Sequence, residues 1–140
     1  MKFLIGWMIG FLIIKIMSKI ENYAWVLPRP NKNKYPGGFP LHFEIKLLRL
    51  LGIDPKIHKI LHPFGGKAQY GIRVDINLEV NPDYIGDAHD LNMFQKETFD
   101  LVILDPPYSE EYNKKMYNQT GKLKFKQYTK EAVRVLKNLA

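Results

Sequence analysis

Hydrophobic and polar positions change period several times along this chain, and the changes mark out its elements. Between Lys2 and Lys15, residues Phe3 to Ile14 form an almost unbroken apolar run. Pro28 to Pro40 then holds four prolines and two glycines among Asn and Lys, which reads as loop. Pro40 opens a predicted helix, since a proline in the first turn gives up no hydrogen bond. Phe43, Leu47, Leu50 and Leu51 form its apolar stripe, Glu44, Lys46 and Arg49 lie off it, and Gly52 is the stop. Beyond it the apolar runs shorten to strand length: Ile57–Leu61, Ile72–Val74, Tyr84–Ile85 and Leu101–Leu104. The last is a continuous apolar run, as expected for a parallel strand buried on both faces. From Thr129 onward, Ala132, Val133, Leu136 and Leu139 predict an amphipathic helix with Lys130, Arg134 and Lys137 opposite.

Strands alternating with helices predict an α/β fold with a Rossmann-like, mostly parallel sheet. The spacings are cramped. Phe64 to Gly71 and Ile76 to Asp83 leave room for a turn or two of helix, whereas a full crossover needs a dozen or more residues. These connections are expected to be loops or stubs. With 140 residues the chain is one domain's worth. It divides into an apolar segment 1–16, a loop and helix 17–56, and the α/β part 57–140.

The apolar start is shorter than the roughly 20 residues of a membrane span. No Ala-x-Ala-like site follows it, as a secretory leader would require. Three readings compete: a marginal membrane helix, a helix packed on the domain, and sequence upstream of a true start at Met17. The third is preferred, because nothing in a cytoplasmic α/β domain needs the segment. A chain starting at Met17 is therefore expected to be more soluble and to fold equally well.

Charge and composition narrow the chemistry. The net charge is +7, with ten Lys/Arg against three Asp/Glu in residues 1–60. A basic surplus invites a polyanion, though most basic patches are solvated surface. With no cysteine and His42, His58, His62 and His89 never four apart on a helix, no metal site is expected. Lys114, Lys115, Lys122, Lys124 and Lys126 interleave with Tyr112, Tyr117, Phe125 and Tyr128. That pattern suits a nucleic-acid track as well as it suits a solvated loop.

Candidate chemistry collects at the strand ends. Leu101–Leu104 runs into Asp105-Pro106-Pro107-Tyr108, a stiff turn carrying one carboxylate and one ring. The acid and a proline carbonyl can accept from an exocyclic amine while the tyrosine covers the ring of a planar molecule. Gly65-Gly66 allows close backbone approach, Asp75 can take ribose hydroxyls, and Asp87 with Ala88 can address an adenine edge. Taken singly, each of these three is equally a turn or strand-end residue.

Together, His62-Pro63-Phe64-Gly65-Gly66, Asp75, Gly86-Asp87-Ala88 and Asp105-Pro106-Pro107-Tyr108 resemble the class I S-adenosylmethionine-dependent methyltransferases. The likeness is to the branch that methylates amines of bases in DNA or RNA, and Glu131-Ala132-Val133-Arg134-Val135-Leu136-Lys137 looks like the helix after its catalytic strand. The resemblance implies that Phe64, Gly65 and Gly66 line the methionine part of S-adenosylmethionine. It implies that Asp75 holds the ribose, and Asp87 and Ala88 the adenine. Asp105 and the Pro106 carbonyl would orient the target amine, with Tyr108 stacked on the base. Three departures stand out: His62 where the family carries an acid, Lys67 in place of a third glycine, and an end at Ala140 where further strands would follow. The sheet is thus expected to be incomplete, with an open parallel edge. The implied function is methyl transfer to a base amine. The alternative is an inactive, truncated module that binds nucleic acid or an acidic membrane surface.

Overall fold

The computed structural model describes the backbone of residues 2–7, 11–16 and 19–24, and residues 38–40, 42–107, 111, 114 and 122–138 with their side chains. Its elements in chain order are β1 (Lys2–Trp7), β2 (Phe11–Ile16), β3 (Lys19–Ala24), α1 (Phe43–Leu51), β4 (Ile60–His62) and β5 (Ile72–Asp75). A 3-10 turn (Leu78–Val80), β6 (Tyr84–Ile85), β7 (Leu101–Leu104) and α2 (Phe125–Val135) complete them.

Strands β6, β5, β4 and β7 lie side by side in that order, all parallel. This is half of a doubly wound sheet, so the fold is α/β and Rossmann-like but incomplete. The connections 63–71 and 76–83 hold turns and the 3-10 helix only, as their lengths demand.

β7 is the centre of the core. Its four residues are all buried. Leu101 and Ile103 face one way, onto Ile60, Ile53 and Leu47, Leu48 and Leu51 of α1. Val102 and Leu104 face the other way, onto Leu61, Val74 and Tyr128, Ala132 and Val135 of α2. Each such side chain removed from water contributes about 1.5–3 kcal/mol. A helix on each face is what makes the strand apolar throughout.

Both helices differ in detail from the sequence expectation. On α1 the buried stripe is Glu44, Leu47, Leu48 and Leu51, while Leu50 is 43% exposed. Glu44 belongs on the inner face because its carboxylate accepts from the amides of Gln69 and Tyr70, a contact made across the chain. Gly52 ends the helix as expected, in the left-handed region at φ 64°, and Ile53 N–H closes the cap on Leu48 O at 2.9 Å. α2 begins before Thr129 and stops at Val135. Leu136 is extended and bridges in parallel to Phe99, and Leu139 lies outside the described residues. β4 also starts later than expected, because Asp54 and Pro55 begin a turn in which the amides of Ile57 and His58 bond to Asp54 O.

The larger correction concerns the amino terminus. Its backbone is extended rather than helical. β1 pairs in parallel with β7 (Phe3 with Val102, Leu4 with Ile103, Ile5 with Leu104), and β2 and β3 follow antiparallel. The edge of β7 that was expected to lie open is therefore filled by β1, which satisfies backbone groups that would otherwise template aggregation. Among the described residues no helix is long and apolar enough to cross a membrane.

The pairing reverses the expectation for a shortened chain. A protein starting at Met17 loses β1 and β2 and bares β7, so it should melt at least about 5 °C lower than the full chain and aggregate more readily. Comparing circular dichroism melts and light scattering of the two checks this, and equal melts would show that β1 does not support the domain.

Candidate functional site

Because β4 to β7 are mutually parallel, their carboxyl ends lie along one edge of the sheet. Phe64-Gly65-Gly66 leaves β4, Asp75 closes β5, Gly86-Asp87-Ala88 leaves β6 and Asp105-Pro106-Pro107 leaves β7. The topology thus gathers these expected site residues at the edge where open α/β sheets bind ligands. Tyr108 lies outside the described residues, as do Tyr112, Lys115 and Tyr117 of the basic-aromatic track.

The glycine turn is built by close packing between neighbouring strands. A Cβ on Gly65 would stand 2.6 Å from Arg73 Cβ, so glycine is required here by β5 itself. Gly65 N–H bonds to Val74 O at 2.8 Å, and Gly66 follows at φ 46°. Gly66 N–H donates to Asp75 Oδ2 at 2.8 Å while Asn77 N–H donates to Oδ1 at 2.9 Å. Asp75 is therefore fixed against the turn with one lone pair of each oxygen used and the others still able to accept. Lys67, standing where a third glycine was looked for, reaches the carbonyls of Glu79 and Val80. Arg73 bonds the carbonyls of Val80 and Asn81. Together they tie the 3-10 turn to the glycine turn.

The β6 end is organised differently. Asp87 is exposed, and its Oδ1 takes the amide and the ring Nδ1 of His89. The Ala88 side chain is buried in the core. Lys124 N–H donates to His89 Nε2 at 2.9 Å, and Gln127 Nε2 donates to His89 O at 3.2 Å. Farther along, Glu131 accepts from Leu91 N–H, and Arg134 donates to Leu91 O and Phe94 O. The stretch from Asp87 to Phe94 is thus fastened along the length of α2. The ring of Phe64 meets Tyr128 of α2 edge-on at 5.2 Å, so α2 also touches the glycine turn.

Asp105 is the electrostatic anomaly of this edge. It is only partly exposed, and burial pushes its carboxyl up to about 7. Among the described residues no donor or cation offsets that burial. Carboxyls raised by burial cluster at functional sites but also occur for structural reasons, so the shift marks Asp105 as a candidate. Sequence reasoning found Asp105 from its position but had no access to this environment.

Two features escaped the sequence. His89 gave no signal beyond being a lone histidine. Glu44 and His62 form a buried polar pair on the α1 face, with His62 Nε2 3.7 Å from Glu44 Oε1 and 2.8 Å from Tyr70 O. Burial lowers the His62 imidazole to about 4 and raises the Glu44 carboxyl. His62 thus serves the core, where the resemblance had looked for a cofactor acid. Comparison of the chain with protein-family models, with curated proteins and with solved structures finds no match.

His62 makes stability depend on pH. Its imidazole titrates near 6.5 when unfolded and about 4 when folded, so the unfolded chain binds more protons between those values. The stability His62 confers is present above pH 6.5 and is lost as pH falls toward 4, by up to about 3 kcal/mol. Glu44, held high by burial, acts in the opposite direction. Denaturant melts of wild type and His62→Gln at pH 7 and 4.5 should show the smaller acid loss in the variant. Parallel curves would contradict the assignment.

Proposed function

We propose that this protein transfers a methyl group from S-adenosylmethionine to the exocyclic amine of a base in DNA or RNA. The observation that carries the reading is Asp105: a carboxyl held up to about 7 by burial, following a strand buried on both faces, on the same sheet edge as the Asp75 turn.

The residues suit the cofactor at two points. Asp75 keeps acceptor capacity for two ribose hydroxyls while bonded to Gly66 N–H. Asp87 uses Oδ1 toward His89, which leaves Oδ2 to accept from an adenine amine. S-adenosylmethionine supplies an electrophilic methyl on sulfonium sulfur. An exocyclic amine is a poor nucleophile, because its lone pair is delocalised into the ring. Asp105 and the Pro106 carbonyl accept its two N–H bonds, which favours a pyramidal nitrogen and localises the lone pair. As the new N–C bond forms and the S–C bond breaks, the nitrogen becomes acidic. A carboxylate titrating near neutrality is matched to hold that proton. Fixing the amine on stiff proline backbone contributes through orientation. Tyr108 would stack on the target base, and a duplex target would have to flip that base out.

The role of Asp105 predicts opposite effects on activity and stability. Asp105→Asn and Asp105→Ala should abolish transfer of labelled methyl while leaving S-adenosylhomocysteine affinity within about threefold. Near-normal turnover in either variant would sink the assignment. For stability, the folded carboxyl titrates at about 7 against 3.8 unfolded, so its favourable contribution is full below pH 3.8 and lost as pH rises through 7. Asp105→Asn should therefore match wild type at pH 4 and be more stable at pH 8, by about 1–3 kcal/mol after discounting for partial exposure. Thermal melts at the two pH values test this.

A further inference from the structure

His89 stands between the end of β6 and the entrance to α2. On one side its Nδ1 meets Oδ1 of Asp87 at the end of β6. On the other, its Nε2 accepts from Lys124 N–H at the entrance to α2. An imidazole that accepts at Nε2 must carry its proton on Nδ1, so the ring donates to Asp87 and accepts from Lys124. The ring is largely buried and packs edge-on against Tyr128 at 5.6 Å. Tyr128 in turn packs on Phe64 of the glycine turn and on Phe125. Lys122, Lys124 and Lys126 are exposed around this turn, and Phe125 is 55% exposed. Cations interleaved with an open ring suit a polyanion with stacking bases.

We infer that His89 is a positioning residue that ties cofactor occupancy at Asp87 to the first turn of α2 and its nucleic-acid-facing side chains. The inference rests on the function proposed above. When an adenine amine occupies Asp87 Oδ2, the carboxylate is pinned. Its Oδ1 then holds Nδ1–H, and the ring holds Lys124 N–H in turn. Cofactor binding thereby orders the turn that meets the target strand, and by linkage the target strand favours the cofactor in the same ratio. A histidine that serves the fold alone would contribute stability without transmitting occupancy.

The amide of Lys124 reports the link directly, because its proton lies in the His89 bond. In wild type, saturating S-adenosylhomocysteine should slow hydrogen exchange of that amide about fivefold or more, the lower end of ordinary coupling between sites. His89→Gln places an acceptor near Lys124 and gives up Asp87, while His89→Asn reaches Asp87 and gives up Lys124. At saturating S-adenosylhomocysteine both should lose the exchange response at Lys124, whatever their affinity, and either suffices if the other fails to fold. Wild-type binding with no change at Lys124, or a full response in a folded variant, overturns the inference and leaves the proposed function standing. Wild-type protein that binds no S-adenosylhomocysteine overturns the function, and the inference with it.

Discussion

The structure turns on a single conflict at the end of β7. A strand packed between two helices on both faces must be apolar, and it delivers the next residue, Asp105, into surroundings that oppose its charge. Folding alone would favour a neutral side chain there. A carboxyl raised to about 7 by burial is a local disadvantage to folding, which the proposed function would account for as chemistry. Two prolines after it, each without a backbone N–H, prevent the strand from continuing.

The rest of the sheet edge is built independently of that residue. Close contact between the turn after β4 and β5 forces glycine at position 65, and the same contact brings Asp75 onto Gly66. The glycine turn is thus a by-product of close packing against β5, which explains why it forms with Lys67 following it. α2 then closes the arrangement. It covers one face of β7 and also grips the stretch from Asp87 to Phe94 through His89, Glu131 and Arg134. One helix therefore touches two of the four strand ends, at Phe64 and at the β6 loop.

Much of this was legible in the sequence where one physical term dominates. Leu101–Leu104 was legible at its observed bounds because an uninterrupted apolar run ended by Asp-Pro-Pro leaves little choice, and Tyr84–Ile85 matches its bounds although both residues are exposed. The short crossovers followed from spacing alone. Glu44 was misplaced, since a carboxylate reads as solvated until the amides of Gln69 and Tyr70 arrive from elsewhere in the chain. Phe3–Ile14 was read as helix or stray sequence for a similar reason, as an apolar run carries no mark of the strand it will pair with. His89 was invisible because its role lies in two contacts, one of them to a backbone amide 35 residues away.

The most direct test is a titration of the Asp105 carboxyl itself in the folded full-length protein. Carbon-13 NMR of aspartate-labelled protein, with the resonance assigned by its loss in Asp105→Asn, gives the midpoint free of any assumption about substrate. A midpoint at about 7 is expected. A midpoint near the ordinary aspartate value of about 4 would contradict it, for Asp105 would then be a solvated turn residue with no claim to chemistry.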